Sequence, residues 1–357
     1  MSHNLLSKYY YFAAILFLVV IDMILTSSAS LATAIYNPND LIDNAIVTNT
    51  STMNQNQIQS FLVGKGSYLA NYSAISVDDN AREPAAKIIY EAANDYDINP
   101  QAILATMQKE QGLVTNPTPT TAELNCAMGY QSCGGYVGFG AQVDAGTWQF
   151  QHDYDAADGI TPVSNFPCRN ATSLYSNAIL PGNTVTFYNP GGTAETVTIA
   201  NAATATLYCY TPYVGPFSLT GYSGSYNFVI SFDQWFGSST NNPTITTGLT
   251  LSPSNPVIGE PITASFTITN NNASPIGVGG MIVAVRDPNG KNKDYALANN
   301  VVIPAHGTYT YSDSQTFTTP GQYQMFISNL GGGVWYQNYP ASANSSISQQ
   351  ATVNIAK

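Results

Sequence analysis

The hydrophobic pattern of the chain changes once, and this change limits the folds that the chain can adopt. Before Gly237, apolar residues recur mainly at the spacing of an amphipathic helix. The segment Gly237–Pro243 is a linker by composition. After it, apolar and polar residues alternate, as they do in half-buried strands. The pattern predicts a multidomain α+β protein, in which a mainly helical domain precedes an all-β domain.

The helical domain is predicted to span residues 40–237. Besides the helix that is discussed below, four segments have helical periodicity: Arg82–Tyr96, Gln142–Tyr154, Ala202–Tyr210 and Tyr226–Phe236. Gln142, Gly146, Gln149 and Asp153 form a polar stripe on the second of these, which is expected to face a cleft. Residues 184–192 and 195–199 alternate in polarity around a Pro-Gly-Gly turn, which predicts a small β-hairpin inserted among the helices.

The all-β domain is predicted to span residues 247–357, after a linker at 238–246. Four segments alternate cleanly: Ile262–Thr269, Met281–Val285, Thr308–Tyr311 and Gln322–Ile327. The turn signals Asp287-Pro288-Asn289-Gly290 and Thr319-Pro320-Gly321 separate strands. Short strands with regular turn signals over about 110 residues are typical of an immunoglobulin-like sandwich.

The first 34 residues have the pattern of a secretory signal peptide. Lys8 supplies a positive start, Phe12–Leu25 is largely apolar, and Ala32-Thr33-Ala34 offers a small-residue cleavage site. Asp22 interrupts the apolar stretch, which makes a stable transmembrane helix less favourable. An uncleaved membrane anchor stays open as the alternative. Either way, the remainder is expected to be secreted or to lie in the extracellular cell envelope.

The charge and the cysteine content limit which partners, disulfides and metal sites can be expected. The net charge is −11 with only 10 Lys and Arg, which form no cluster, so nucleic acid is not an expected partner. The four cysteines suit disulfides in an exported protein. Three pairings are possible, of which we favour Cys126–Cys133 with Cys168–Cys209. None of the three histidines, His3, His152 and His306, lies near a Cys at metal-ligand spacing, so no metal site is predicted.

Glu110 is a carboxylate where a helix should be apolar. Asn99 suits the N-cap of the helix that carries it, Pro100 the first helical position, and Gly112 the left-handed residue after its end. Glu110 falls on the same face as Ile103 and Met107, and therefore points towards the interior or a cleft. Burial there would raise the pKa of the carboxyl group, which is what a general acid requires near neutral pH. The alternative is a partly exposed Glu with no special role.

Three segments resemble the lysozyme-like superfamily, which includes soluble lytic transglycosylases and goose-type lysozymes. Gln108–Leu113 resembles the end of the catalytic helix, although Glu110-Gln111 stands where the usual pair is Glu-Ser. Gly138–Gln142 resembles the Gly- and Gln-containing element opposite the acid, and Ala205–Tyr213 the later Tyr-containing element. The resemblance covers roughly residues 40–237. The C-terminal part resembles immunoglobulin-like adhesion modules of bacterial surface proteins.

The resemblance implies that the substrate is the β-1,4-linked glycan of peptidoglycan and that Glu110 protonates the glycosidic oxygen. In a transglycosylase the sugar's own 6-hydroxyl then attacks and leaves a 1,6-anhydro end. In a hydrolase, water attacks with help from a second carboxylate, for which Asp144 and Asp153 are candidates. Both are expected to be solvated helix charges, so we favour the transglycosylase. No cofactor is implied. The expected substrate-binding residues are Gln111, Tyr130, Phe139, Gln142, Trp148, Tyr210 and Tyr213, with Gln142 as a partner for an acetamido group.

Two other functions remain open from the sequence. The first is a non-catalytic protein that grips wall glycan on the same scaffold. The second is an adhesin whose active part is the sandwich, with the aromatic cluster Val334–Tyr339 contacting a cell-surface ligand.

Overall fold

The structure is a computed structural model that describes residues 33–189, 192–215, 224–331, 334–338 and 351–355. Within these ranges the protein combines α-helices with several antiparallel sheets, which confirms the predicted mixture of α and β structure. The predicted signal peptide lies outside the described residues except for Thr33 and Ala34. Tyr339 of the predicted aromatic cluster and the turn residues 190–191 also lie outside them.

Five helices of the described residues correspond to predicted ones, with one corrected start, and three others were not predicted. The helices are α1 (Asn44–Val47), α2 (Gln55–Gly64), α3 (Ala85–Asp95), α4 (Pro100–Gln111), α5 (Thr121–Asn125), α6 (Phe139–Ala157), α7 (Ala202–Tyr210) and α8 (Ser225–Phe236). The helix predicted to begin at Arg82 begins at Ala85 instead. Residues 82–84 form a strand that pairs with residues 73–75, and Pro84 keeps an extended backbone at the N-cap of α3.

β2–β3 and β4–β5 are small hairpins, β8 and β10 form a two-stranded sheet, and the other strands, including β1, belong to two larger sheets. The strands are β1 (Thr33–Ala34), β2 (Ser73–Ile75), β3 (Arg82–Pro84), β4 (Thr184–Tyr188), β5 (Ala194–Thr198), β6 (Thr244–Ser252), β7 (Pro261–Thr269), β8 (Ile276–Gly277), β9 (Gly280–Arg286), β10 (Val302–Ile303), β11 (Thr308–Thr316), β12 (Gly321–Gly331), β13 (Val334–Asn338) and β14 (Ala351–Ile355). The predicted hairpin in the helical region is confirmed as β4–β5, with Val185 opposite Val197.

Two four-stranded antiparallel sheets organise the second half. One has the order β1-β6-β7-β11; in the other, β12 pairs with β9 along one edge and with β13 and β14 along the other. The alternation predicted for β7 is observed, because Ile262, Phe266 and Ile268 are buried. These side chains share one hydrophobic cluster with Val283 of β9 and Met325 of β12. Buried side chains of both sheets therefore belong to a single hydrophobic core.

A cluster of tyrosines joins the helical region to the second sheet. The ring of Tyr36 lies 5.0 Å from that of Tyr226 in α8 and 4.5 Å from that of Tyr336 in β13. The Tyr336 hydroxyl donates to Glu195 Oε2, and Asn189 Nδ2 donates to Glu195 Oε1 at 2.6 Å. Glu195 belongs to the β4–β5 hairpin and is buried. Buried contacts thus cross between the two predicted domains.

The segment predicted as a linker is closely tied to the rest of the protein. Strand β6 begins at Thr244, inside the range 238–246. Ser239 and Thr240 are buried, and the backbone N–H of Asp43 donates to the Ser239 carbonyl at 2.9 Å. The short strand β1 pairs with β6, so the residues that precede the helical region belong to the first sheet.

No helix in the described ranges has both the length and the apolar character needed to cross a bilayer.

Candidate functional site

Glu110 lies in the last turn of α4, where the sequence signals place it. The Asn99 side chain caps the helix by accepting from the Gln101 backbone N–H at 2.8 Å. Gly112 ends it with a left-handed φ of 66°, and its N–H donates to the Gln108 carbonyl at 2.9 Å. The Glu110 side chain keeps 20% of its surface exposed. The Glu110 carboxylate is therefore half-buried.

A buried ammonium group lies beside this carboxylate. Lys109 Nζ is 2.7 Å from Glu110 Oε1, and the Lys109 side chain is only 2% exposed. The same ammonium donates to Thr211 Oγ1, which lies 3.2 Å from Glu110 Oε1. The Tyr210 ring is 5.4 Å from Lys109 Nζ, at cation–π distance. Sequence reasoning missed Lys109 and Thr211, although both are adjacent in the chain to predicted site residues.

The backbone of Gly129 faces the other carboxylate oxygen. A Cβ atom on Gly129 would lie 2.6 Å from Glu110 Oε2, so only glycine fits there without displacing the carboxylate. Gly129 has a left-handed φ of 66° and belongs to the loop that is closed by the Cys126–Cys133 disulfide. This loop supplies one wall around Glu110.

Residues of this loop also line a cavity of about 210 Å³. It is lined by Gly129, Tyr130, Gln131, Gln149, Asp153, Pro167, Cys168, Cys209 and Tyr210. The second disulfide, Cys168–Cys209, forms part of the wall, and both favoured pairings are thereby confirmed. Gly129 lines the cavity and also packs against Glu110, which is not itself among the lining residues.

Asp153 is the acidic group of that cavity. It is 1% exposed, and burial raises the pKa of its carboxyl from 3.8 to about 7, against the lowering effect of a hydrogen bond from Gln149. The Gln149 Nε2 group donates to Asp153 Oδ1 at 2.6 Å. The expectation that Asp153 is a solvated helix charge is wrong, because the Cys168–Cys209 and Tyr130 elements cover this part of α6.

Asp144, the other carboxylate considered on α6, lies elsewhere. Its Oδ1 accepts from the Tyr96 hydroxyl at 2.7 Å, and it is absent from the lining of the 210 Å³ cavity.

Two of the predicted tyrosines meet at the cavity. The Tyr130 hydroxyl donates to Gln149 Oε1 at 3.2 Å. The Tyr210 hydroxyl donates to the Met128 carbonyl at 2.7 Å, and its ring packs 4.6 Å from that of Phe150. The predicted polar stripe of α6 is thus divided, since Gln149 and Asp153 line the cavity while Gly146 packs against Met128 and Tyr210.

Gln142 positions the loop instead of lining the cavity. It is fully buried, and its Oε1 accepts from the Tyr130 backbone N–H at 3.0 Å. Its Nε2 donates to the carbonyls of Tyr130 at 3.2 Å and Tyr136 at 2.7 Å. Because these hydrogen bonds occupy the Gln142 amide, it holds Tyr130 in place and does not serve as the expected partner of an acetamido group.

The remaining predicted residues lie away from the cavity lining. Phe139 is 1% exposed and packs against the Tyr72 ring, at the wall of a larger groove of about 510 Å³. Trp148 is 41% exposed, and its ring lies 5.0 Å from that of His152. Gln111 is half-buried at the end of α4. Tyr213 is half-buried too, and Pro212 separates it from Thr211.

The described residues include no group of three or more His, Cys, Asp or Glu side chains arranged to hold a metal ion. They do form a half-buried carboxylate paired with an ammonium, and a small cavity that is lined by a second, buried carboxyl group. Two carboxyl groups in different environments are a basis for acid–base chemistry.

Comparison with known proteins gives one family match. A family model described as "LasA, N-terminal domain" matches residues 40–167, which are 128 of the 357 residues. The matched range contains Glu110, Gly129 and Asp153. No curated protein matches the chain.

Solved structures resemble only parts of the chain. Pseudomonas fluorescens alkylpurine DNA glycosylase AlkC bound to DNA is 13% identical with a TM-score of 0.24, and the match covers 37% of this chain and 34% of that one. Listeria innocua beta-glucosidase in complex with gluconolactone is 15% identical with a TM-score of 0.22, covering 32% and 16%. The C-terminal domain of wzt is 8% identical with a TM-score of 0.24, covering 32% and 74%. The chain spans about a third of the first structure and about a sixth of the second, and TM-scores this low do not indicate a shared overall fold.

Proposed function

We propose that the protein is a secreted peptidoglycan-cleaving glycosidase with a lysozyme-like helical domain, in which Glu110 is the general acid. The C-terminal pair of sheets is an immunoglobulin-like sandwich in this proposal. The observation that carries it is the position of Glu110, half-buried at a helix end and packed against Gly129, which lines a cavity together with tyrosine and amide side chains. Such side chains suit sugar rings and their hydroxyl groups.

Lys109 has a clear part in this chemistry. When Glu110 gives its proton to the glycosidic oxygen, it is left as a carboxylate beside the Lys109 ammonium, 2.7 Å away. The ammonium stabilises that negative charge, because opposite charges at hydrogen-bond distance attract each other. Thr211 holds the ammonium in place from the other side.

Two further observations support a secreted, peptidoglycan-related protein. The match to the LasA N-terminal domain family covers the helix, the disulfide loop and Asp153. Both disulfides suit an oxidising compartment outside the cytoplasm.

A second candidate is a protein that binds wall glycan without cutting it. One observation favours it: the only polar side chains that contact the Glu110 carboxylate in the described ranges are Lys109 and Thr211, and an ion pair of this kind also serves a purely structural purpose.

Release from purified sacculi and binding to them distinguish the two candidate functions. The wild-type protein should release soluble muropeptides, and Glu110→Gln should bind sacculi equally well while its release falls at least 100-fold. Glu123→Gln is the matched control, because Glu123 undergoes the same chemical change in the capping box of α5. Wild-type binding without release would favour the binding protein. Unchanged release by Glu110→Gln would remove Glu110 from the mechanism.

A further inference from the structure

Strand β11 forms an open edge of the first sheet. It runs over nine residues, Thr308–Thr316, and among the described strands it pairs only with β7. At the opposite edge of this sheet lies β1, which has only two residues. One side of β11 therefore presents a long row of backbone N–H and C=O groups that no strand of the described ranges pairs with.

The edge of β9 in the second sheet is protected in a way that β11 is not. Segment 291–298 runs along β9, where the Lys293 N–H donates to the Val285 carbonyl and the Tyr295 N–H to the Val283 carbonyl, both at 3.0 Å. Two isolated bridges join the same two segments. No backbone segment in the described ranges covers β11 in this way. The strand also contains neither Lys nor Pro, the residues that commonly prevent edge-to-edge pairing.

Strand β11 is regular along its whole length. All nine residues are in register with β7, without the shifts that interrupt the pairing of β6 with β7. Its exposed side chains alternate with buried or half-buried ones, and every exposed one carries a hydroxyl group: Thr308, Thr310, Ser312, Ser314 and Thr316. A long edge without a bulge readily accepts a further antiparallel strand.

Hydroxyl groups already pair across this face of the sheet. Thr310 Oγ1 lies 3.1 Å from Thr267 Oγ1, and Ser314 Oγ lies 2.7 Å from Thr263 Oγ1. A further pair of this kind joins β6 to β7. Cross-strand pairs of threonine and serine stabilise antiparallel strands. A strand added at the β11 edge is therefore favoured if it places hydroxyl groups opposite those of β11.

The sequence of β11 has this property with respect to itself. When two copies run antiparallel about Ser312, every exposed hydroxyl residue lies opposite another one: Thr308 opposite Thr316, Thr310 opposite Ser314, and Ser312 opposite Ser312. Asp313 is the only charged residue of β11, and this register places it opposite Tyr311 of the second copy. The two carboxylates therefore do not face each other, so the pairing brings no like charges together.

We propose that β11 is a dimerisation edge, at which a second copy of this chain adds its own β11 antiparallel about Ser312. The pairing joins two four-stranded sheets into one continuous sheet across a two-fold axis. Because each copy contributes one strand, the contact is smaller than a standard interface, and the dimer forms at micromolar concentrations or above. No residue of β11 belongs to the candidate site, so the dimer does not depend on the proposed function.

Sedimentation equilibrium of the purified protein tests the proposal. The average mass of the wild type should rise from that of one chain towards that of two as the concentration increases. Thr310→Lys combined with Ser314→Lys places ammonium groups opposite each other twice in the dimer, and should weaken dimerisation by about 10-fold or more. Thr310→Lys combined with Ser314→Glu is the matched control. It places each ammonium opposite a carboxylate of the other copy, and should dimerise at least as well as the wild type.

Ser312→Cys tests the register of the pairing. Residues directly opposite each other in antiparallel strands have Cα atoms about 4.5–5.5 Å apart, within reach of a disulfide. The four native cysteines are paired with each other, so mild oxidation should link two copies through the introduced thiol. Thr310→Cys is the matched control on the same strand and face. Its two thiols would lie four positions apart, roughly 13 Å along the strand, which is too far for a disulfide.

The contrary outcomes are distinct. The mass of a single chain at every concentration would overturn the proposal. Equal dimerisation by the two charge variants would overturn it as well, because another surface would then join the copies. Equal crosslinking by the two cysteine variants would exclude the pairing about Ser312. All three substituted positions are exposed, and if a charge variant does not fold, the cysteine variants still decide.

Discussion

The backbone of Gly129 lies directly against the carboxylate of Glu110, so close that a Cβ atom would come within 2.6 Å of Oε2. The contact joins two distant parts of the chain, the end of α4 and the Cys126–Cys133 loop. The loop thereby fixes one side of the carboxylate while Lys109 holds the other. The position of the Glu110 carboxylate depends on both.

Gly129→Ala should displace Glu110 and lower muropeptide release by about 100-fold, since small misplacements of a reacting group cost that much. Gly112→Ala is the control, because Gly112 has the same φ of 66° but no atom within 4 Å of an added Cβ. Both variants should lose about 1–2 kcal/mol of stability from the left-handed backbone. Rates on sacculi and thermal unfolding measure the two effects separately. Equal activity in both variants would count against the steric contact.

Lys109→Met should lower the rate of release by roughly 100-fold without weakening the binding to sacculi. The carboxylate that remains after proton transfer would lose its ammonium partner at 2.7 Å. Lys65→Met is the control. The Lys65 ammonium lies over the Phe61 and Trp235 rings, so the same substitution there leaves the ion pair of Glu110 with Lys109 in place. Faster release by Lys109→Met would mean that the ion pair restrains Glu110, and would contradict the assigned role.

The local parts of this site were predictable, and the long-range parts were not. Asn99, Pro100 and Gly112 mark α4 because capping depends on nearby residues. The contact between Lys109 and Thr211 joins residues 102 positions apart, and no local pattern signals it. The burial of Asp153 likewise depends on Cys168 and Cys209, which belong to later elements. Composition indicated a linker at 238–246, but the segment packs tightly, because composition does not report tertiary contacts.

Tyr336→Phe should destabilise the protein by about 1–3 kcal/mol, because buried Glu195 would lose a hydrogen-bond donor. Burial raises the pKa of Glu195, and the hydrogen bonds from Tyr336 and Asn189 lower it. Combining Tyr336→Phe with Glu195→Gln should cost less than the sum of the single changes. Urea unfolding of the wild type and the three variants gives the coupling energy. Additive losses would show that the bond contributes nothing.

Asp233 should make the protein less stable as the pH rises. It is fully buried, and burial raises its pKa from 3.8 to about 7. Because the folded state holds the proton more tightly than the unfolded state, the free energy of unfolding should fall between about pH 4 and pH 7. Asp153, with its pKa also raised to about 7, acts in the same direction.

Asp233→Asn isolates this contribution. The variant and the wild type should have similar stability at pH 4, and the variant should be more stable at pH 8 by at most about 4 kcal/mol. Urea unfolding at the two pH values measures the difference. An equal loss of stability from pH 4 to pH 8 in both proteins would exclude Asp233 as the cause.

The tyrosine cluster can be completed only after the strand that carries Tyr336 has been synthesised. The Tyr36 backbone N–H donates to Asn338 Oδ1 across 302 residues, and Tyr336 completes the surroundings of Glu195. While a chain is being synthesised from its N-terminus, the hairpin that carries Glu195 exists before its partner does. Glu195 therefore has its complete set of hydrogen-bond partners only after β13 has been synthesised and has packed against the hairpin.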